Sequence, residues 1–219
     1  MKILAIETST DVCGVTIIAD NKVICIKEEV LFRNHAEKLP LFTREVLAKT
    51  SLKINDLNGI AVSNGPGSFT GLRIGLSFAK ALAFSNDIDL IPIPTLYSMV
   101  KTISLEKSKI KILLFSHSQN LYLQDFNIIN FKVNELSKPK LVEWNDKILT
   151  SSKDYQLFHY GCEKLFKSQL ISTVKPSSKI IASIAMNEYE KFALKNYSSL
   201  QPNYVSAFNI GKKKFTKLD

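Results

Sequence analysis

Ser63-Asn64-Gly65-Pro66-Gly67-Ser68-Phe69-Thr70-Gly71-Leu72-Arg73 joins an apolar run to a segment rich in small residues. The residues before it, Gly59-Ile60-Ala61-Val62, form an apolar run that reads as a buried strand. Gly65-Pro66-Gly67 then imposes a tight turn. Ser68 stands at an N-cap position, and a helix follows to about Phe84. Glycines in a strand-to-helix turn let another backbone approach closely, and a helix start presents free N–H groups that suit an anion. The same spacing serves equally as a structural turn. Gly71, Gly75, Ala79 and Ala83 recur every four residues in the phase of Gly67, so they share one stripe of the helix. A glycine inside a soluble helix costs about 1 kcal/mol relative to alanine. The stripe therefore implies very close packing, against the protein's own sheet, a neighbouring helix or a helix of another chain.

Upstream, Lys2–Thr8 is a short apolar run ending in polar residues, followed by runs at Cys13–Ala19 and Val23–Ile26 with a hairpin turn at Asp20-Asn21. Glu7-Thr8-Ser9-Thr10 closes the first strand with hydroxyls and one carboxylate, a group that either holds a phosphate or metal-bound water or forms a surface turn. Asn34 to about Ser51 reads as a helix with Leu39, Phe42, Val46 and Leu47 on one face and His35 at its start, as a cap or partner contact rather than a catalyst. Pro40 fits a helix only near its first turn. Downstream, Leu90–Pro94 is a further apolar segment, and Thr95 caps a helix to about Ser104. Three strands, helix, strand, helix, strand, helix suits a mixed sheet of the ribonuclease-H-like kind. In the second half, strands are expected at Ile110–Phe115, Leu121–Phe126, Ile128–Val133 and Gln156–Tyr160. Leu136–Thr150 is ambiguous, with Trp144 covering core. Pro176-Ser177-Ser178 opens a helix to about Asn196, and Gln201–Val205 is extended. The expected organisation is a first lobe at 1–104, a second, diverged lobe at 105–200 and an extended C-terminal segment with a basic tail at 201–219.

The 219 residues include 45% hydrophobic residues, enough for a large core. No apolar run has membrane-spanning length and no signal-peptide pattern opens the chain. Cys13, Cys25 and Cys162 are far apart and lack metal spacing, which reads as reduced thiols in a cytoplasmic protein. The net charge of +9, partly in Lys212, Lys213, Lys214 and Lys217, permits contact with a polyanion such as RNA without requiring it.

Three segments carry a family resemblance: ILAIETSTDVCGV at Ile3–Val15, NHAEKLP at Asn34–Pro40 and SNGPGSFTGLRIGLSFAKALAF at Ser63–Phe84. Together they resemble the TsaB (YeaZ) family, the non-catalytic partner of TsaD in bacterial synthesis of threonylcarbamoyladenosine, the tRNA modification beside the anticodon. The likeness is close over about the first hundred residues and returns faintly in QPNYV at Gln201–Val205. It fails at Phe115–Tyr122, where the family's charged D-A-R-x-x-E-V-Y motif keeps only its tyrosine, Tyr122. The resemblance implies two ribonuclease-H-like lobes of the actin-like, sugar-kinase and heat-shock ATPase superfamily, the second eroded. It also implies helix-mediated dimerisation with TsaD, or with a second copy when TsaD is absent, alongside the ATPase TsaE, with tRNA reached through the complex. It turns the small-residue stripe toward another chain. The expected partner face is His35, Ser68, Phe69, Gly71, Leu72, Arg73, Gly75, Leu76 and Ala79. Glu7, Thr8, Ser9 and Gly65 are the candidates for a nucleotide pocket shared with the partner, where ATP or ADP would bind at the interface of the complex.

The residues speak against independent catalysis. TsaD-like enzymes place two metal-binding histidines four apart on the helix after L-I-P-I, and here those positions hold Thr95 and Met99. His35, His117 and His159 have no metal spacing, and Ser9, Ser63 and Ser68 have no general base nearby. From residue 99 onward the only glycines are Gly161 and Gly211, so the adenosine half of a two-lobed ATP cleft is missing. The expectation is an accessory subunit without catalytic residues, metal or cofactor of its own. The alternatives are an ATP-dependent small-molecule kinase or carbamoyltransferase of the same superfamily, and an RNA-binding homodimer.

Overall fold

The computed structural model describes residues 1–145, 148, 154–166 and 171–205. The basic tail lies outside the described residues. The first sheet contains β1 (Lys2–Glu7), β2 (Val12–Ala19), β3 (Lys22–Val30), β4 (Gly59–Ser63) and β5 (Asp89–Ile93), in the order β3-β2-β1-β4-β5. β1 pairs antiparallel with β2 and parallel with β4, as the ribonuclease-H-like order requires. Asp20 and Asn21 both take positive φ, +46° and +64°, which closes the β2–β3 hairpin with the twist that flanking strands prefer.

β1 is buried on both faces because its apolar residues do not alternate with polar ones. Leu4 and Ile6 meet α1 (His35–Thr50) and α2 (Phe69–Ser85) through Leu39, Phe42, Val46, Leu76 and Ala79. Ile3 and Ala5 face the opposite way, into a core shared with α3 (Thr95–Val100) and α4 (Ser178–Asn187).

The second sheet comprises β6 (Lys107–His117), β7 (Asn120–Ile129), β8 (Lys132–Glu135), β9 (Lys140–Glu143), β10 (Gln156–Tyr160) and β11 (Ser172–Thr173). Its main order, β11-β10-β6-β7-β8, repeats the first sheet's plan, including the antiparallel β6–β7 and parallel β6–β10 pairings. The likeness extends to the helices that follow the fifth strand, α3 and α4. Both sit between the two sheets, and Ile110, Ile112, Leu114 and Phe126 of the second sheet join Ile181, Ala182 and Ala185 in one core. The chain is thus a mixed α/β protein of two actin-like lobes.

Several expectations require correction. α4 packs against β1, β2 and β4, so residues 105–200 are not a self-contained lobe. Residues 201–205 belong to the first lobe, since Asn203 N–H donates to the Asn64 carbonyl and Leu194 bridges to Leu90 just upstream. The third strand of the second lobe begins at Lys132, because Asn130 and Phe131 form a positive-φ turn. α3 stops at Val100 and α4 at Asn187, where Glu188 leaves helical geometry before the short α5 (Tyr189–Phe192). Thr95 is not a cap: Pro94 precedes the helix, and Thr95 Oγ1 is buried without a partner.

Glu28 on β3 fastens α4 to the first sheet. Its Oε2 accepts hydrogen bonds from Ser177 Oγ, Ser178 N and Ser178 Oγ at 2.9–3.1 Å. A carboxylate at a helix N-terminus also meets the positive end of the helix dipole. Glu28→Ala should therefore lower unfolding stability by about 2–3 kcal/mol in a urea titration, because it removes several charge-assisted bonds at once.

Candidate functional site

A cleft of about 740 Å³ opens where the carboxyl ends of both sheets' strands converge. Five segments frame it: the β1–β2 turn (Ser9–Asp11), the loop from β3 into α1 (Leu31–Arg33, His35), the β4–α2 turn (Gly67, Ser68), the end of β6 (Phe115, Ser116) and the end of β10 (Tyr160, Gly161). Tyr160 Oη donates to Asp11 Oδ1 at 2.7 Å and ties the lobes together across it. Burial and the Asp11 carboxylate push the Tyr160 phenol above its ordinary range.

The glycine-rich turn explains how this site is shaped. Gly65 has φ +102°, and a Cβ there would lie 2.8 Å from the Asn203 carbonyl oxygen. Ser68 caps α2 as its sequence position suggests, its Oγ accepting from Gly71 N at 3.2 Å. The turn packs on β1 through a main-chain contact: Ser68 N–H donates to the Ser9 carbonyl at 2.7 Å, and a Cβ on Gly67 would overlap that same oxygen. The β1–β2 turn thus takes up one of the N–H groups that this end of α2 would otherwise present. Glu7, Thr8, Ser9 and Gly65 are buried, and only Ser9 among them lines the cleft.

Glu7 is fully buried. Its Oε1 accepts from Ser9 N and Ser9 Oγ, both at 2.6 Å, while Oε2 has no partner. Desolvation pushes its pKa up to about 7 despite the Ser9 bonds. Burial similarly pushes the Cys13 and Cys162 thiols up to about 12, so both are protonated at neutral pH.

The small-residue stripe packs inward. A Cβ on Gly71 would overlap the Thr8 carbonyl oxygen, and one on Gly75 would overlap Thr8 Oγ1. Leu72, Leu76 and Ala79 are at most 3% exposed. Gly71, Leu72, Gly75, Leu76 and Ala79 are therefore spent on the chain's own sheet and present no surface to another chain. His35 is also buried, its Nε2 donating to the Val12 carbonyl at 3.2 Å, so it anchors α1 to β2 at the cleft wall.

Three residues of the expected face keep surface. Ser68 is exposed, Phe69 is half-buried and Arg73 is exposed. The Arg73 guanidinium lies 3.8 Å from the Phe69 ring centre, and its Nε donates to Tyr204 Oη at 2.9 Å. Tyr204 in turn stacks against Phe69 at 5.0 Å. Sequence reasoning missed Tyr204, although QPNYV stood out, because nothing local connects residue 204 with residue 73. The outer face of α2 continues from Arg73 through the exposed Ser77, Ala81 and Phe84, with Leu41 and Arg44 exposed on α1. Phe84 is 82% exposed.

No group of three or more His, Cys, Asp or Glu residues that could hold a metal ion occurs among the described residues. Thr95 and Met99 are both fully buried in α3. No helix among the described residues is long and apolar enough to cross a membrane.

The two sheets, one of five strands and one of six, with two helices between them define a two-lobe, actin-like fold. The family model for TsaD, tRNA N6-adenosine threonylcarbamoyltransferase, matches residues 25–188. The tRNA threonylcarbamoyladenosine biosynthesis protein TsaB of Haemophilus influenzae is 36% identical over 101 residues, covering 46% of this chain and 42% of the relative. The match to the Escherichia coli protein of the same name likewise spans 43% of that relative, so the chain spans less than half the length of these two. The TsaB of Buchnera aphidicola subsp. Baizongia pistaciae is 29% identical over 204 residues, covering 86% of this chain and 91% of the relative. Among solved structures, YeaZ from Pseudomonas aeruginosa superposes with a TM-score of 0.74 at 18% identity, covering 93% and 99% of the two chains. The chain belongs to the family of that TsaD model, and the relatives named TsaB and the structural neighbour named YeaZ support its assignment to TsaB/YeaZ.

Two outcomes follow from the buried geometry. Gly71→Ala, which would stabilise an ordinary exposed helix by about 1 kcal/mol, should instead destabilise this protein by about 1–3 kcal/mol in chemical denaturation, because the Thr8 carbonyl it would strike cannot yield without moving β1. Glu7 is raised in the folded state, so its contribution to stability is present below the unfolded value near 4.5 and is lost as pH rises through about 7. The loss approaches about 3 kcal/mol above that range. Glu7→Gln should therefore gain melting temperature relative to the parent at pH 8, with the gain shrinking toward pH 5.

Proposed function

We propose that this chain is a non-catalytic subunit of tRNA threonylcarbamoyladenosine biosynthesis that docks on TsaD and activates it. The observation that carries the reading is the outer face of α2. Ser77 and Ala81 are small and exposed at i, i+4 spacing, with Phe84 projecting beside them and Leu41 exposed on α1. Small residues at a crossing point with a large apolar group alongside suit close helix-on-helix docking. The seam thus runs on the side of α2 opposite its glycine stripe. The buried, non-ligating Thr95 and Met99 support a supporting role rather than a catalytic one. In this reading ATP or ADP binds at the interface of the assembled complex. A second copy occupies the same face when TsaD is absent.

The test is a reconstituted reaction containing TsaD, TsaE, the threonylcarbamoyl-adenylate synthase, tRNA, threonine, bicarbonate and ATP, with product read by mass spectrometry. Product should require the chain, and Ala81→Arg with Phe84→Glu should cut it by about tenfold or more without lowering the melting temperature. Equal product in the absence of the chain overturns the proposal.

A further inference from the structure

The net charge of +9 is not shared between the lobes. Residues 1–100 hold ten lysines and arginines against ten acids, whereas residues 101–219 hold nineteen lysines against ten acids. Strand register shows where part of this excess is displayed. On β6, Ile110, Ile112 and Leu114 face the core shared by the two sheets, so Lys107, Lys109 and Lys111 face away from it. Lys107 pairs with Ile129, and Ile129 with Lys132, so Lys132 shares that outer face. Lys107, Lys109 and Lys132 are exposed.

Two acids of these strands are engaged elsewhere. Asp125 is committed to the buried Lys111. Glu135 pairs with Phe126 and so lies on the inner face, where it accepts from Gln124. Two aromatic rings adjoin the lysines. Tyr155 lies 5.9 Å from Lys109 Nζ and 4.7 Å from Lys111 Nζ, and Phe131 at the β7–β8 turn is 66% exposed. Lysines two apart on a strand stand about 7 Å from each other, a spacing that can follow successive backbone phosphates. Adjacent exposed rings can stack on bases.

We infer that the outer face of the second-lobe sheet, with Lys107, Lys109 and Lys132 as phosphate contacts and Phe131 as a stacking group, is a docking surface for RNA. The inference deepens the proposed function, on whose reading the RNA is the tRNA undergoing modification. The layer order makes the two roles compatible. α1 and α2 cover the far side of the first sheet, while the basic face lies on the far side of the second, so a protein docked on α2 leaves the lysines open.

The test is fluorescence anisotropy of an unmodified, end-labelled tRNA transcript titrated with the full chain at 50 and 200 mM KCl. Lys107→Glu/Lys109→Glu/Lys132→Glu should weaken binding by tenfold or more at the lower salt, and should lower the slope of log affinity against log salt by about 2–3. Lys22→Glu/Lys49→Glu/Lys53→Glu, an equal charge change on the first lobe, should have little effect. Matching circular dichroism melts for the two triple variants separate a binding loss from unfolding, and Phe131→Ala supplies a variant without a charge change that should also weaken binding. Unchanged affinity in the β6–β8 triple variant, loss of binding only on removal of residues 212–219, or binding to phosphatidylcholine/phosphatidylglycerol (3:1) vesicles but not to the transcript would each overturn the inference. RNA binding lost by the triple variant while the chain fails to stimulate TsaD would keep this inference and overturn the proposed function. Stimulation of TsaD with RNA affinity unchanged in the variant would do the reverse.

Discussion

The contact between the end of β1 and the start of α2 is the constraint on which the structure depends. Thr8 and Ser9 come so close to Gly67, Gly71 and Gly75 that no side chain fits between them. That approach fixes the distance from helix to sheet and lets the Ser9 carbonyl take the Ser68 N–H. Burial of Glu7 follows from the same closure, since the turn that seals against α2 also folds Ser9 back onto the Glu7 carboxylate. The glycines give up helix propensity in exchange for packing that a Cβ would prevent, and the strain of a buried carboxyl with one unpartnered oxygen is carried at the same place.

This one contact also separates what was legible in the sequence from what was not. The strand, the turn, the Ser68 cap and the extent of α2 were readable because they are local: apolar runs, turn residues and capping hydroxyls act within a few residues. The period of the glycine stripe was equally clear. Its partner was not, because a stripe of small residues reports that something lies close without reporting what. The resemblance pulled the reading toward another chain, whereas the occupant is Thr8, some sixty residues earlier on the central strand. Likewise His35 was placed correctly at the helix start but assigned outward, and its bond to Val12 turns it inward. The clasp of Tyr204 on Arg73 joins positions more than a hundred residues apart, beyond any local pattern.

The second lobe was harder for a different reason. Its strands are short or carry lysines on one face, so hydrophobic periodicity is diluted, and β9 and β11 are only four and two residues long. The alternation that marks β6, with lysines outside and isoleucines inside, is clean in the structure, yet it reads in sequence as a shorter apolar run beginning at Ile110. Topology recovers what composition hides. The order β8-β7-β6-β10-β11 repeats β3-β2-β1-β4-β5, so the duplicated plan survives where the residues have diverged.

The duplication bears on how the cleft works. In the first lobe the fourth strand ends in Gly65 at φ +102°, and in the second the fourth strand ends in Gly161 at φ +72°; both backbones turn sharply at equivalent places. After Gly65 the chain enters a long helix whose start is sealed by Ser9. After Gly161 it enters a small separate cluster in which Cys162 and Phe166 pack beneath Leu113 and Leu121. His159 braces this turn by accepting from Cys162 N, and burial holds its imidazole below its ordinary pKa, favouring the neutral ring that can accept. Both turns thus serve internal packing, one against the β1–β2 turn and the other against a local apolar cluster. The cleft between the two turns stays open at about 740 Å³ and is bridged by Tyr160 to Asp11.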